Sequence, residues 1–162
     1  MPASSLHLAY LSLGANLGER ETTLRAAVAT LGTLPGTRVC AVSSLLETPP
    51  WGKTDQPAFL NLALSLETTL PPEELLDAVL EIERVFGRER HEQWGPRTLD
   101  IDLLVYAGEE RHTPHFTLPH PYLTQRRFVL EPLAEIAPEL VIIGKTVREW
   151  LARLDEDTAG DR

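Results

Sequence analysis

In the stretch 94–108, WGPRTLDIDLLVYAG, two aspartates, Asp100 and Asp102, stand on alternate residues of a segment that otherwise reads as a strand. Successive strand side chains point to opposite faces, so the two carboxylates share one face while Leu99, Ile101, Leu103 and Val105 share the other. Like charges at that spacing repel, and each raises the cost of ionising its neighbour unless a cation or a cluster of donors lies between them. Oxygen donors of this kind suit a hard divalent cation such as Mg²⁺.

Three further segments carry more chemistry than a core requires. The segment 47–61, ETPPWGKTDQPAFLN, is a loop with three prolines and a glycine that delivers Phe59 and Asn61 into a strand. Alternation there puts Leu60, Leu62, Leu64 and Leu66 on one face and Phe59, Asn61, Ala63 and Ser65 on the other. A ring beside a side-chain amide suits a flat polar heterocycle, which the ring can stack on and the amide can read at its edge. The competing reading has Asn61 pairing with backbone at a strand start while Phe59 covers the sheet. The segment 83–97 holds Arg84, Arg88, Arg90 and Arg97 in a chain whose net charge is −9. Guanidinium forks match phosphate oxygens, although a helix end also attracts positive residues without any ligand. The segment 118–128, LPHPYLTQRRF, places His120 between two prolines and starts a helix with Arg126 and Arg127, where positive charge opposes the helix dipole unless an anion is near. A lone histidine is as readily structural as functional. Carboxylates for Mg²⁺ with arginines for phosphate charge are the parts of a phosphoryl-transfer site. No GxxxxGK[ST] loop and no HRD or DFG set is present, so any nucleotide is held differently. In 14–20, GANLGER, backbone N–H groups at a helix start can approach a ligand, and an ordinary turn explains the same residues.

The elements that must position these groups follow an alternating order. A strand over 6–14 precedes a helix over 18–32 whose closing glycine can adopt a left-handed cap. Two strands, 37–48 and 58–70, come next. A helix over 71–87 has prolines and glutamates at its start, Leu75, Val79, Ile82 and Phe86 at helical spacing, and Gly87 at its end. The strand over 99–106 completes a β-α-β-β-α-β order, which predicts an α+β, ferredoxin-like unit with a mainly antiparallel sheet flanked by helices on both sides. A hairpin or irregular segment (108–118) and helices around 124–136 and 146–154 form a C-terminal helical extension, and the acidic tail 155–162 is expected to fray. At 162 residues the chain is read as one domain, 1–162, of ordinary globular composition. The acidic balance argues against a nucleic-acid or membrane-surface partner. One cysteine, Cys40, excludes an internal disulfide framework. With no signal-peptide pattern and no apolar run of membrane-spanning length, a cytoplasmic monomer is expected.

The combination of GxN after the first strand, TPPWG…DQPAFLN, GRER…WGPRTLDIDLL and LPHP…RRFVLEPLAEIAPEL resembles the 6-hydroxymethyl-7,8-dihydropterin pyrophosphokinase (HPPK) family over residues 8–150. The resemblance implies that Mg-ATP and the pterin bind side by side and that the pterin hydroxymethyl oxygen attacks the β-phosphorus, so that a diphosphate moves intact and AMP leaves. Asp100 and Asp102 match aspartates that hold two Mg²⁺ ions, and with Arg88 and Arg97 they are the implied catalytic set. Thr48, Pro49, Trp51, Phe59, Asn61 and Phe128 match the pterin pocket, its two rings sandwiching the heterocycle. Arg88, Arg97, His120 and Arg126 match positions on the ATP phosphates or a catalytic loop, with Glu83 and Thr117 near the nucleotide. Arg90 and Trp94 fall on a loop that closes over the reactants, where exclusion of water strengthens every charge interaction. Gln93, His115 and Pro121 depart from residues common in relatives, and none of them replaces a metal ligand. Two rival functions use part of the same pattern. A non-catalytic small-molecule sensor has no need of Asp100 and Asp102, and a metal-dependent phosphohydrolase has no need of Phe59 and Asn61.

Overall fold

The computed structural model of the chain describes residues 6–15, 19–48, 59–87, 99–114 and 116–160. Its strands and helices follow the order β1 (His7–Ala15), α1 (Arg20–Leu31), β2 (Thr37–Val42), β3 (Leu46–Thr48), β4 (Phe59–Thr68), α2 (Pro72–Gly87) and β5 (Asp100–Tyr106). The hairpin β6 (Arg111–Thr113) and β7 (Phe116–Leu118) is followed by a 3-10 turn (Leu123–Gln125), α3 (Arg127–Ile136), the small hairpin β8 (Val141–Ile142) and β9 (Lys145–Thr146), and α4 (Val147–Gly160). The main sheet has the order β2-β4-β1-β5, every neighbouring pair antiparallel, with β3 also paired to β4. Each of the two crossovers, through α1 and through α2, skips one strand of this sheet, so two split βαβ units interleave as the ferredoxin-like order requires.

Both sheet faces are covered. Ala9, Leu11, Leu13 and Ala15 of β1 and Leu62, Leu64 and Leu66 of β4 bury against Leu24, Ala27 and Leu31 of α1 and Leu75, Val79 and Ile82 of α2. On the other face Tyr10, Ala63 and Leu104 meet Val129, Leu130 and Leu133 of α3 and Val147 of α4. Each fully buried leucine contributes roughly 2 kcal/mol of apolar burial. The second face is therefore divided: α3 and α4 seal one end of it, and the other end carries the small and polar residues Ser12, Gly14, Asn61, Asp100 and Asp102, which line an open cavity.

Four details differ from the sequence expectation. The strand expected over 37–48 is two strands along one side of β4, broken at 43–45 because Ser43 Oγ replaces a main-chain carbonyl in accepting the Ala63 N–H, at 2.9 Å. Gly32 does not adopt the left-handed cap; it stays right-handed (φ −67°), and the left-handed residue is Gly36 (φ 60°), where a Cβ would meet Thr69 Oγ1 at 2.1 Å. Val105 does not share the face of Ile101 and Leu103. The β1–β5 register pairs Tyr10 with Val105 and Leu11 with Leu103, so Leu104 is a bulge that carries Val105 to the α3/α4 side. The last helix runs past Leu154 to Gly160, and Asp155 accepts a hydrogen bond from Arg127 of α3.

Candidate active site

Strand register decides which groups meet. Gly14 is the cross-strand partner of Asn61 on one side and of Asp100 on the other, and Ser12 is the partner of Asp102. Asn61, Gly14 and Asp100 thus lie abreast on three strands, and a strand spacing of about 4.8 Å sets Asn61 and Asp100 roughly 10 Å apart over a glycine floor. A Cβ on Gly14 would stand 2.7 Å from Asn61 Oδ1, so only glycine lets the amide lie across β1. The amide is buried, 4% exposed, and its Nδ2 donates to Thr48 Oγ1 at 3.2 Å. Phe59, paired with Thr48 across β3 and β4, stands at the same rim.

The carboxylate side is built around the β5 bulge. The Leu104 carbonyl accepts the His120 N–H at 2.8 Å, which holds the loop after β7 against β5. His120 Nε2 then lies 3.8 Å from Asp102 Oδ1. Its Nδ1 accepts the Tyr122 N–H at 3.3 Å, so the neutral ring carries its proton on Nε2, toward the aspartate. Burial holds the imidazole below its ordinary pKa; Asp102 opposes that shift and Arg126 adds to it. From below, Glu83 of α2 accepts the Ile101 N–H at 2.7 Å and so fixes the β5 backbone between the two aspartates.

Across the cavity, Arg126 precedes α3 in an extended conformation, its guanidinium 5.3 Å from the Tyr122 ring and 5.8 Å from the Phe128 ring. Arg127 is engaged otherwise, by Glu131 and Asp155. Of the two adjacent arginines, Arg126 has no carboxylate partner among the described residues and is the cation available to an anionic ligand. Arg84 is a helix-end residue, forked onto Glu81.

The cavity is about 1350 Å³ and brings together Thr48, Phe59, Asn61, Glu83, Asp100, Asp102, Thr117, His120, Arg126 and Phe128. Pro121, one of the departures, also lines it. Pro49, Trp51, Arg88, Arg90, Trp94 and Arg97, with Gln93 and His115, lie outside the described residues. Sequence reasoning missed Ser12 and the apolar wall of Leu76, Leu80 and Phe116. Ser12 and Gly14 had a signal: two small residues on one face of a strand whose other face is alanine and leucine. Leu76 and Leu80 had none, since they merely flank the core stripe of α2 and only packing shows that they border a cavity.

The donor chemistry fits a hard cation. Among the described residues no cluster of three or more His, Cys, Asp or Glu side chains could enclose a metal. Two carboxylates at an open cavity match the way Mg²⁺ is held, by one or two protein oxygens with substrate phosphates and water completing the shell.

The profile of the 7,8-dihydro-6-hydroxymethylpterin-pyrophosphokinase (HPPK) family matches residues 10–138. A Methylorubrum extorquens protein named 2-amino-4-hydroxy-6-hydroxymethyldihydropteridine pyrophosphokinase is 52% identical over 147 residues, 91% of this chain and 93% of that one. A Bacillus subtilis protein of the same name is 46% identical, covering 83% of this chain and 80% of its own length. Among solved structures, wild-type Plasmodium falciparum HPPK-DHPS with pteroate superposes with a TM-score of 0.77 at 15% identity over 99% of this chain, which spans 44% of that longer one. That likeness speaks for the fold, and the sequence relatives speak for the family. On both the profile match and the identity to its relatives, this chain belongs to the HPPK family.

Proposed function

We propose that this chain transfers the diphosphate of ATP to the hydroxymethyl group of 6-hydroxymethyl-7,8-dihydropterin in folate biosynthesis. The observation that carries this reading is the row Asn61, Gly14, Asp100, with Asp102 one step along the same face. A flat heterocycle lying over Gly14 and read by Asn61 extends its side arm toward the carboxylates. Phe59 and Phe128 border the same cavity from β4 and α3 and close on the two sides of the ring. Leu76, Leu80 and Phe116 give the same cavity an apolar stretch suited to a base, and Thr117 and Glu83, assigned to the nucleotide, belong to the same lining.

In the reaction the hydroxymethyl oxygen forms a bond to the β-phosphorus while the bond from that phosphorus to the bridging oxygen of the α-phosphate breaks. The bridging oxygen leaves with AMP, and the hydroxyl proton passes to solvent. Asp100 and Asp102 would hold Mg²⁺, two ions in this reading, and the metal would supply neutralisation of the phosphate charge that otherwise repels the nucleophile. Arg126 meets phosphate charge from α3. His120, with its proton on Nε2, orients Asp102 or a phosphate oxygen. Arg88 and Arg97 are assigned to the phosphates, and Pro49, Trp51, Arg90 and Trp94 to the pocket and its lid, on sequence grounds alone. A phosphohydrolase would not need the Asn61–Thr48 wall, and a sensor would not need the aspartates, so neither rival is favoured.

No helix of the described residues is long and apolar enough to cross a membrane. We place the enzyme in the cytoplasm as a monomer acting on small molecules rather than nucleic acid, in keeping with its net charge of −9.

The test is incubation with Mg-ATP, with and without the pterin, following AMP and pterin diphosphate by mass spectrometry. AMP that forms only with pterin is expected; ADP or phosphate released without it would replace this reading by hydrolysis. In the same assay Asp102→Ala abolishes turnover while circular dichroism stays unchanged, and near-wild-type turnover would remove the metal assignment.

A further inference from the structure

Ser44 sits where the sheet edge passes from β2 to β3, and its backbone N–H donates to Glu135 Oε1 at 2.9 Å while its hydroxyl donates to Glu135 Oε2 at 2.7 Å. The two residues are 91 positions apart in the chain, and Glu135 lies in the last turn of α3. A carboxylate there opposes the helix dipole, so its place is unfavourable without a compensating partner. Ser44 supplies both donors, and these hold the Glu135 carboxyl below the usual carboxylate range.

The preceding residue locks the same point to the sheet. The Ser43 N–H donates to the Ala63 carbonyl at 2.8 Å, and Ser43 Oγ accepts the Ala63 N–H at 2.9 Å. Two residues on from Ser44 begins β3, which carries Thr48, the hydroxyl that receives the Asn61 amide. At the opposite end of α3, seven residues or about 10 Å from Glu135, stands Phe128. One carboxylate thus ties the helix that carries Phe128 to the β2–β3 junction that leads to Thr48, and both residues line the same cavity.

We propose that Glu135 is a positioning residue that, through Ser44, sets the separation between Phe128 and the Thr48–Phe59–Asn61 wall, and hence the grip on the heterocycle; this rests on the diphosphate-transfer reading. The hydrogen bonds act by geometry, so glutamine serves as well: its oxygen accepts from the Ser44 N–H, and its amide donates to the hydroxyl. A displacement of order 1 Å in a positioning element is enough to cost affinity and rate.

The experiment compares wild type, Glu135→Ala, Glu135→Gln and Ser44→Ala by steady-state kinetics in both substrates, by pterin fluorescence titration in the presence of a non-hydrolysable ATP analogue, and by thermal unfolding. In Glu135→Ala the pterin KM and Kd rise about tenfold while the ATP KM, touched only through Arg126 at the start of the same helix, rises clearly less, and Glu135→Gln returns both pterin values to within about twofold of wild type. Ser44→Ala falls between, having kept the backbone donor. A lowered melting temperature with unchanged pterin KM, or equal changes for both substrates, overturns the proposal by reducing the contact to a structural one. Absence of pterin diphosphate from the wild type overturns the reaction and the proposal together, whereas wild-type turnover with an indifferent Glu135→Ala overturns the proposal alone.

Discussion

At Gly14 a single missing Cβ decides whether the two halves of the site can share one floor. Any side chain there begins 2.7 Å from Asn61 Oδ1, and Asn61 has little freedom to withdraw because its amide is buried and bonded to Thr48. Gly14→Ala should therefore act through crowding, costing about 1–3 kcal/mol as overpacked sites do. It should also raise the pterin KM more than the ATP KM, because the displaced group is the reader of the heterocycle edge. Thermal melts and two-substrate kinetics check both halves, and an alanine variant with wild-type pterin KM would show that Asn61 relaxes at no cost. Adjacent residues of one type also divide by partner: both line the cavity, but Arg126 packs over two aromatic rings, whereas Arg127 is held by Glu131 of its own helix and joins α3 to α4 through Asp155.

Among the elements, the smallest hairpin carries a local conflict. Ile142 pairs with Lys145, leaving a two-residue loop in which Ile143 (φ 48°) and Gly144 (φ 83°) are both left-handed. Such turns favour Asn-Gly, since a β-branched residue pays for positive φ in backbone strain. Ile143 is 69% exposed and recovers little by burial. Ile143→Asn is expected to stabilise the fold by about 1 kcal/mol, a rise of roughly 2–4 °C in Tm by calorimetry, with kinetics unchanged because the turn is remote from the cavity. The hairpin is held regardless, since the Trp150 indole of α4 donates to the Ile142 carbonyl at 2.7 Å. The helix α2 shows no such conflict. In α2 the acidic residues Glu73 and Glu74 fall in the first turn and Arg84 in the last, in agreement with the dipole.

For the molecule as a whole, several outer contacts depend on ionised carboxylates. Arg111 of β6 forks onto Glu73 of α2 and also holds Glu109, which raises the guanidinium and lowers Glu73. Glu135 is lowered by Ser44, Glu81 by Arg84, and Glu149 by the N–H and hydroxyl of Thr146. Each of these carboxylates titrates lower in the folded chain than in the unfolded one. Their contribution is complete above the unfolded value of about 4.3 and is lost as pH falls through the folded values. Urea midpoints should therefore drop most steeply below about pH 4, as these carboxylates are protonated. All these groups are exposed, so the effect is modest and should shrink in about 0.5 M salt. A separate, earlier decline belongs to His120: its folded value lies below the unfolded value of about 6.5, so the midpoint should begin to fall as pH drops through about 6.5, and a level midpoint from about pH 7 to 5.5 would show that Asp102 offsets the burial in full.

Much of this was legible along the chain, because alternation and helical spacing are local. Asp100 with Asp102, Asn61 with Phe59, and the stripe of α2 each follow from periods of two or 3.6 that hold whatever the rest of the chain does. The ferredoxin-like order follows from the same periods, and the family resemblance from the motifs they carry. Contacts across strands and helices are another matter, since register is set by packing that the whole chain negotiates at once. The Leu104 bulge moves Val105 to the other face and offers a carbonyl to His120; Gly14 lands between Asn61 and Asp100; Ser44 finds Glu135 across 91 residues. Sequence alone determined which side chains share a face wherever a strand runs without a bulge. Tertiary structure decided which faces meet and at what offset, because a pairing shifted by one residue leaves every local pattern intact and yet sends each side chain to the opposite side of the sheet.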